Sequence, residues 1–377
     1  MASVTGYYST KFGELWDRSL FSLVDESIQQ ALKTAHLKLE QVDAIFFGNM
    51  LGGVLGNNLH SGAKIAEILH IHKPVFRVEA ACASGGMAFH LAHLAVLSGR
   101  YKNVLVVGAE KMTDYSPEEV TEALSAAASG AEQESGLTFP GLYAMLANVY
   151  MNTYGYTEEH LAHIAYKNHM HGTMNSNAQF RKKLSVEQIM KSSYVAFPLK
   201  VLDCSPISDG AAAVVISSED KGVKILASEV ATDSISLAGR AQLDSLNATK
   251  IAADAAFALS GLKRQDIQVA EVHDCFTIGE ILAMEDIGFW NKGEGGKNAK
   301  KLTTMYGSDN SLIVNTSGGL KAAGHPVGAT GIKQIGEVFL QLMGRAEDRQ
   351  VKQARYGLAH NVGGSGGTAV VTILGNT

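Results

Sequence analysis

The chain contains few charged residues, few prolines and few cysteines. Charged residues make up 18% of the 377 positions, and there are 6 prolines and 3 cysteines. Three unevenly spaced cysteines form neither a disulfide framework nor a zinc site with two close ligand pairs, and they are typical of free thiols. A net charge of −5 argues against a nucleic-acid partner. No run approaches the roughly 18 apolar residues of a membrane span, and no targeting pattern begins the chain, so we expect a cytoplasmic protein.

Short apolar runs alternate with helical patterns, and this alternation predicts an α/β fold. The predicted strands cover residues 43–47, 103–108, 211–216, 268–272, 312–314 and 367–373. Two stretches of the second half can be laid over two of the first, 262–272 over 37–47 and 366–371 over 210–215. These alignments suggest a duplication, with extra residues in the first half between Met112 and Pro198.

Cys82 lies in Glu79-Ala-Ala-Cys-Ala-Ser-Gly-Gly-Met87, directly before an apolar pattern that predicts a buried helix. At the start of a helix, free backbone N–H groups and the helix dipole stabilise a thiolate, so we predict a lowered pKa for Cys82. Its small neighbours leave room for an acyl group close to the sulfur. The alternative is a cysteine that only packs in the core.

His325 lies in a glycine-rich run, residues 318–331, before a predicted helix over 332–343. A histidine on such a turn is not covered by its small neighbours, and it can act as the base for a thiol. The alternative is a structural loop histidine. The run lacks the Gly-Lys-Ser/Thr ending of a P-loop, which excludes that nucleotide-binding motif.

Cys275 follows a predicted strand, in Glu271-Val-His-Asp-Cys-Phe276. His273 and Cys275 share a face if this segment is extended, and they diverge if it turns. A zinc site of His273, Cys275 and another histidine is an alternative, although no paired ligands stand nearby. We interpret Cys204, which has no basic partner in sequence, as structural.

Two further segments could bind a substrate. The glycines of His360-Asn-Val-Gly-Gly-Ser-Gly-Gly367 could present backbone N–H groups to a developing oxyanion, or they could simply form a tight turn. The basic residues Arg181, Lys182 and Lys183 could meet a ligand phosphate, or they could form a solvated surface.

Together these motifs resemble the thiolase family. Cys82 with its small neighbours resembles the nucleophile motif, and residues 324–331 resemble the Gly-His-Pro motif. His273-Asp-Cys-Phe276 resembles the sterol-carrier-protein type, where most thiolases have Asn-Glu-Ala-Phe. Asn361-Val-Gly363 stands where those relatives have the acid/base cysteine of a Cys-x-Gly motif, and that thiol is placed at Cys275 instead. Residues 10–19 resemble archaeal and bacterial acetyl-CoA acetyltransferases of this branch.

The resemblance implies a five-layer αβαβα fold made of two duplicated βαβαβαββ halves with an inserted loop domain. We expect the first half at 1–117 and 196–222, the loop domain at 118–195 and the second half at 223–377. It also implies a homodimer or a dimer of dimers in lipid and fatty acid metabolism. A complex with a hydroxymethylglutaryl-CoA synthase and a zinc-ribbon partner is implied as well.

The resemblance further implies an acyltransferase that uses coenzyme A thioesters as substrates, without a metal or a permanently bound cofactor. Cys82 would be acylated with His325 as its base, and Cys275 would move the protons of carbon–carbon bond formation or thiolysis. His273 and Gly363 would contribute to the two oxyanion holes.

The basic residues at 181–183 are candidates for contacts with CoA. Three alternatives stay open: a non-catalytic scaffold protein, a decarboxylating ketoacyl synthase, and a hydroxymethylglutaryl-CoA synthase with Glu79 as its acid/base.

Overall fold

A computed structural model describes residues 2–308 and 311–376 of the chain. The strands are β1 (Ser3–Ser9), β2 (Ala44–Gly48), β3 (Val75–Val78), β4 (Asn103–Glu110), β5 (Tyr194–Ala196), β6 (Leu199–Lys200), β7 (Gly210–Ser217), β8 (Val223–Thr232), β9 (Val269–Glu271), β10 (Ile313–Val314), β11 (Tyr356–Gly363) and β12 (Thr368–Gly375). The α-helices are α1 (Leu20–Thr34), α2 (Ser61–Ile68), α3 (Ser84–Leu97), α4 (Pro117–Ser125), α5 (Gly130–Glu134), α6 (Phe139–Tyr154), α7 (Glu158–Gly172), α8 (Val186–Met190), α9 (Asn247–Ser260), α10 (Thr277–Ile287), α11 (Gly295–Lys300), α12 (Gly319–Ala323) and α13 (Val327–Leu342). All six predicted strands are confirmed.

The main sheet consists of two halves with the same strand order. The first half runs β1, β7, β4, β2, β3, and the second runs β8, β12, β11, β9, β10. In each half the three strands farthest from the junction are parallel, and the other two are antiparallel to their neighbours. The halves join where β1 pairs with β8 at Ser3–Lys224 and Val4–Val223. The suggested duplication is confirmed at the level of topology.

Helices cover both faces of each half, which gives five layers. Helices α1 and α2 cover the outer face of the first half, and α9 and α10 cover the outer face of the second. Helices α3 and α13 lie side by side between the two halves. Glycine permits this contact, because a Cβ at Gly85 of α3 would lie 2.6 Å from the carbonyl oxygen of Gly328 in α13.

Helix α3 is apolar on all sides, but it is not buried on all sides. Phe89 is fully buried between the sheets, whereas Leu91, Leu94 and Leu97 are 38%, 46% and 52% exposed. The prediction of a buried helix is therefore wrong for the face of α3 that carries these three leucines. Helix α13 begins at Val327, five residues before the predicted start, because Pro326 with its fixed φ already initiates the helix.

The extra residues of the first half form α4 to α8 and the β5–β6 hairpin, which lie between β4 and β7. Helix α6 packs on the start of α10 through Tyr143, Leu146 and Ile278. The insertion thereby covers the end of the second half that carries Cys275. The proposed boundaries of the loop domain at 118–195 remain a prediction. None of the described helices is both long enough and apolar enough to cross a bilayer.

Candidate active site

Cys82 lies in a tight loop between β3 and α3. The Ser84 hydroxyl closes this loop, because it accepts the N–H of Ala80 at 3.0 Å and donates to the carbonyl oxygen of Ala81 at 2.6 Å. Ala81 has a φ of 51°, which is uncommon for a residue with a Cβ. The loop places Cys82 just before the first turn of α3, as the sequence predicts.

The thiol of Cys82 is neutral in the resting site. Burial raises its pKa to about 12, and the carboxylates of Glu110 and Glu79 act in the same direction. The backbone N–H groups of Gly364 and Cys82 near the sulfur act in the opposite direction and lower the pKa by less. The predicted lowering of the pKa is therefore wrong, because desolvation of a thiol that is only 9% exposed outweighs the helix start.

His325 lies on the turn between α12 and α13, with a ring nitrogen within 4.8 Å of Cys82 Sγ. Its Nδ1 is 2.7 Å from Thr330 Oγ1, and that hydroxyl donates its single proton to the carbonyl oxygen of Pro326 at 3.1 Å. This network assigns the proton of the ring to Nδ1 and leaves a lone pair on Nε2. Burial, followed by Lys333, lowers the pKa of His325 to about 3, so the imidazole is neutral and can accept a proton.

His273 lies beyond β9, with its ring edge-on to His325 at a centroid separation of 5.2 Å. Its Nδ1 is 3.2 Å from the amide nitrogen of Asn361, which can only donate, so Nδ1 accepts and Nε2 carries the proton. Burial, with His325 and His360 adding to it, lowers the pKa of His273 well below its ordinary value. Its Nε2 has no hydrogen-bond partner among the described residues. Among the described residues, nothing accepts this N–H of His273, so it can donate to a substrate oxygen.

Cys275 lies directly before α10, and its thiol is hydrogen-bonded to the hydroxyl of Tyr143. The same hydroxyl is 3.1 Å from the carbonyl oxygen of Gly364. Burial, followed by the nearby Cys82 thiol, raises the pKa of Cys275 well above its ordinary value. Tyr143 belongs to α6, and its ring packs at a tilt of 32° against Phe276, with ring centroids 4.6 Å apart. The insertion thus contributes a polar group to the site.

A cavity of 220 Å³ joins the two thiols and His325, whereas His273 is absent from its described lining and lies behind it, with a ring nitrogen within 4.8 Å of Cys82 Sγ. Cys82, Cys275 and His325 line it together with Tyr143, and the rest of the lining is mostly apolar. Cys204, interpreted as structural, also lines this cavity. A larger hollow of 1310 Å³ opens beside β10 and β11, but its described lining includes neither cysteine nor histidine. The chemistry of the protein therefore belongs to the smaller cavity.

The trio of Cys82, His273 and His325 is close enough to hold a metal ion, since one candidate ligand atom of each lies within 4.8 Å of the others. The hydrogen bonds do not fit this use. Asn361 keeps the proton of His273 on Nε2, which removes that nitrogen as a ligand. Two ligands then remain, fewer than the three protein ligands of catalytic zinc sites. Cys275 is not part of the trio, so the zinc alternative of His273 and Cys275 gains no support.

Two glycines at the end of β11 lie beside the nucleophile loop. A Cβ at Gly363, the predicted oxyanion donor, would collide with the carbonyl oxygen of Ala80, so this residue packs closely against the loop. Gly364, the first residue after β11, lines the cavity, and its φ of 61° turns the chain away from the ladder. The role of Gly363 in an oxyanion hole stays a prediction.

The basic residues Arg181, Lys182 and Lys183 are exposed, and they are absent from the described lining of the cavity. Glu79 is also exposed, where its carboxylate accepts the N–H of Ala81. Glu79 is absent from the described lining of the cavity, so the synthase alternative gains no support from it.

Three polar residues of the site could not be found by motif reasoning. Tyr143 lies on a helix of the insertion, outside every motif of the sequence. Thr330 is the fourth residue of α13 and follows His325 by five residues, so their contact depends on the turn that precedes the helix. Asn361 lies within a motif that we recognised, but its side-chain contacts depend on the packing of β11 against α3.

Comparison with known proteins agrees with this geometry. Residues 2–220 match the family model described as "Thiolase, N-terminal domain", and residues 229–376 match "Thiolase C-terminal domain-like". The chain belongs to the thiolase family. The predicted family and the predicted thiolase fold are confirmed.

The alignments with individual relatives cover nearly the whole chain. An acetyl-CoA acetyltransferase of Methanothermobacter thermautotrophicus is 45% identical over 99% of this chain and 98% of its own length. Sterol carrier protein 2 of Bos taurus is 33% identical over 98% of this chain and 71% of its own length. A crystal structure of human mitochondrial 3-ketoacyl-CoA thiolase in complex with CoA superimposes with a TM-score of 0.76 at 17% identity, covering 100% of this chain and 98% of that chain.

Proposed function

We propose that this protein transfers acetyl groups between coenzyme A thioesters through an acyl-enzyme on Cys82, making or cleaving acetoacetyl-CoA. One observation carries the proposal: two neutral thiols and a histidine assigned a free Nε2 line a single apolar cavity. A thiol nucleophile, a base within reach and a second thiol supply the groups that Claisen chemistry between thioesters requires.

Acylation begins when Cys82 Sγ attacks the thioester carbonyl and its proton passes to Nε2 of His325. The backbone N–H groups of Cys82 and Gly364 stabilise the oxyanion. Together this pair of donors contributes roughly 3 kcal/mol. Collapse of the intermediate releases CoA as a thiolate, which takes the proton of Cys275. Cys275 is left as a thiolate, and the hydroxyl of Tyr143 can rotate to donate to it.

In the condensation that follows, both thiols regain a proton. The Cys275 thiolate removes a proton from the methyl group of a second acetyl-CoA, and the resulting enolate oxygen is held by N–H groups of His273 and protonated His325. The enolate carbon attacks the acyl-cysteine, and the departing Cys82 thiolate recovers its proton from His325. Thiolysis is the reverse, in which Cys275 activates CoA. Both thiols start and end protonated, in agreement with their raised pKa values.

The size of the cavity favours a short acyl group. Its 220 Å³ is smaller than the roughly 300–1,000 Å³ of typical ligand pockets. Phe139 and Leu124 contribute to its apolar lining and leave little room for a long chain. The acetyl-CoA acetyltransferase name of the archaeal relative supports the same substrate.

A rate series tests the proposal. Acetoacetyl-CoA thiolysis should exceed thiolysis of longer 3-ketoacyl-CoAs, and acetyl-CoA should be condensed slowly in reverse. Cys82→Ala should abolish both reactions. A protein that shows neither reaction with acetoacetyl-CoA or acetyl-CoA would contradict the proposal and support a scaffold role. Release of CO₂ from malonyl-CoA would favour the ketoacyl-synthase alternative.

We infer that the exposed residues 181–183 meet the phosphates of CoA, as the resemblance implies. Their charge and exposure support this contact, since CoA phosphates need a local cluster of cations on a protein of negative net charge. Lys182→Glu should raise the KM for CoA with little change in kcat. Lys33→Glu, on the exposed face of α1, is the matched control.

We also infer a homodimer formed through α3 and the free edge of β3. The exposed Leu91, Leu94 and Leu97 lie on one side of α3, and Phe76 on β3 is 43% exposed. An unpaired edge strand beside an apolar helix face is typical of a surface that is covered in an assembly. Leu94→Lys should yield monomers in sedimentation velocity. Leu259→Lys, at a 62% exposed leucine of α9, should not.

A cytoplasmic location, a part in lipid and fatty acid metabolism, and assembly into tetramers remain proposals based on the resemblance. The complex with a hydroxymethylglutaryl-CoA synthase and a zinc-ribbon partner is likewise a proposal based on the resemblance. Co-expression with the two candidate partners followed by size-exclusion chromatography tests it.

A further inference from the structure

Asn361 makes three hydrogen bonds in the centre of the site. Its Oδ1 accepts the backbone N–H of Gly86 at 3.1 Å, and its Nδ2 is 3.0 Å from the carbonyl oxygen of Cys82 and 3.2 Å from Nδ1 of His273. The side chain is 3% exposed. It therefore links the first turn of α3, the nucleophile loop and the histidine beyond β9.

The orientation of this amide is fixed. A backbone N–H can only donate, so the atom of Asn361 that faces Gly86 must be the oxygen. The nitrogen then faces Cys82 and His273, and its two protons match those two acceptors. Gly331 confines the amide from the other side, because a Cβ there would collide with Oδ1. A flipped amide would set two donors against each other at Gly86.

A fixed amide determines the tautomer of His273. A neutral imidazole carries one proton, and a ring nitrogen that accepts a hydrogen bond cannot hold it. His273 is kept neutral by burial. Its proton must therefore lie on Nε2, the nitrogen without a partner among the described residues.

We propose that Asn361 is a positioning residue that holds His273 in its Nε2–H tautomer, so that this N–H stabilises the enolate oxygen of the thioester. The inference rests on the proposed function, because it assigns Asn361 to the condensation step of that reaction. In a site with an asparagine at position 273, no such support is needed, since an amide always has an N–H to offer.

Two substitutions of similar shape separate this role from simple packing. Asn361→Asp keeps an acceptor for the N–H of Gly86, but a carboxylate can only accept, so the contact with His273 is inverted. The donor to the carbonyl oxygen of Cys82 is lost in this variant, as it is in the leucine variant. Asn361→Leu removes all three hydrogen bonds and leaves either tautomer possible. At pH 9, where His273 stays neutral, condensation should fall roughly 100-fold or more in Asn361→Asp and by less in Asn361→Leu. A packing role predicts the opposite order.

A double-mutant cycle with His273→Asn provides the decisive comparison. In that background Asn361→Asp should change the condensation rate by no more than about 2-fold relative to its parent, because the tautomer no longer exists. Equal losses in the two backgrounds, or no loss in either, would overturn the proposal. The burst of CoA released from acetyl-CoA on acylation of Cys82 reports separately on the proposed function. If the wild-type protein gives no burst, the proposed function fails; if it gives one while the cycle shows no coupling, only the role of Asn361 fails.

Discussion

Replacing Tyr143 by phenylalanine isolates the proton-transfer step from acylation. The hydroxyl of Tyr143 is hydrogen-bonded to the Cys275 thiol and lies 3.1 Å from the carbonyl oxygen of Gly364. Its ring packs at a tilt against Phe276 and lies in a buried cluster, and phenylalanine preserves those contacts. The substitution therefore removes only the polar contacts of the hydroxyl, to Cys275 and to the carbonyl oxygen of Gly364.

The size of the effect follows from the charge of the partner. A hydrogen bond to a charged group contributes about 1.5–3 kcal/mol, and in this site the thiolate of Cys275 exists only during the reaction. Condensation and thiolysis should therefore fall roughly 10- to 150-fold in Tyr143→Phe. Acylation of Cys82 should fall much less, because a CoA thiolate can leave without the help of Cys275.

The assay compares two rates on the same enzyme preparation: the burst of CoA from acetyl-CoA, and the steady-state thiolysis of acetoacetyl-CoA. Tyr150→Phe is the matched control, since Tyr150 lies two turns further along α6, is equally buried and donates to Glu285 outside the cavity. It should alter stability but not the ratio of the two rates. A Tyr143→Phe enzyme whose thiolysis stays within 2-fold of wild type would refute the assignment, and so would an equal loss of both rates.

Three further predictions follow from the site and the core. The pKa of Cys82 is raised to about 12 by burial, so its alkylation by iodoacetamide should still accelerate between pH 8 and 10; a plateau below pH 8, read from the labelled peptide, would indicate a resting thiolate. His325→Ala should slow the burst of CoA by roughly 10²–10⁴-fold, as loss of a general base does, and an unchanged burst would remove it as the base. Phe89→Ala, between the two sheets, should lower the free energy of unfolding in urea by about 3–5 kcal/mol, whereas Leu259→Ala on the surface should stay within about 0.5 kcal/mol.

Local patterns of the sequence were sufficient for the motifs and for six of the twelve described strands. Parallel strands such as β2 and β4 are continuous apolar runs, and Cys82, His273, Cys275 and His325 stand in short distinctive segments. The resemblance carried by those segments also implied the layer arrangement, which apolar periodicity alone does not determine.

Electrostatics at the site could not be predicted in the same way. The helix start at Ser84 suggested a stabilised thiolate, but the pKa of Cys82 depends on how completely α4, α6 and α13 remove water from the cavity. That depends on side chains distant in sequence, such as Leu124 and Phe139. The roles of Tyr143 and Asn361 escaped prediction for the same reason, because their partners lie in other elements.

The central claim is that Cys82 carries the acyl group while Cys275 moves the protons. Incubating Cys275→Ala with acetyl-CoA, quenching in acid and mapping the acetyl group by peptide mass spectrometry tests it directly. We predict acetylation of Cys82, none at Cys204, and no acetoacetyl-CoA in the solution. An acetyl group found on Cys275 of the wild-type protein, or acetoacetyl-CoA formed by Cys275→Ala, would contradict the account.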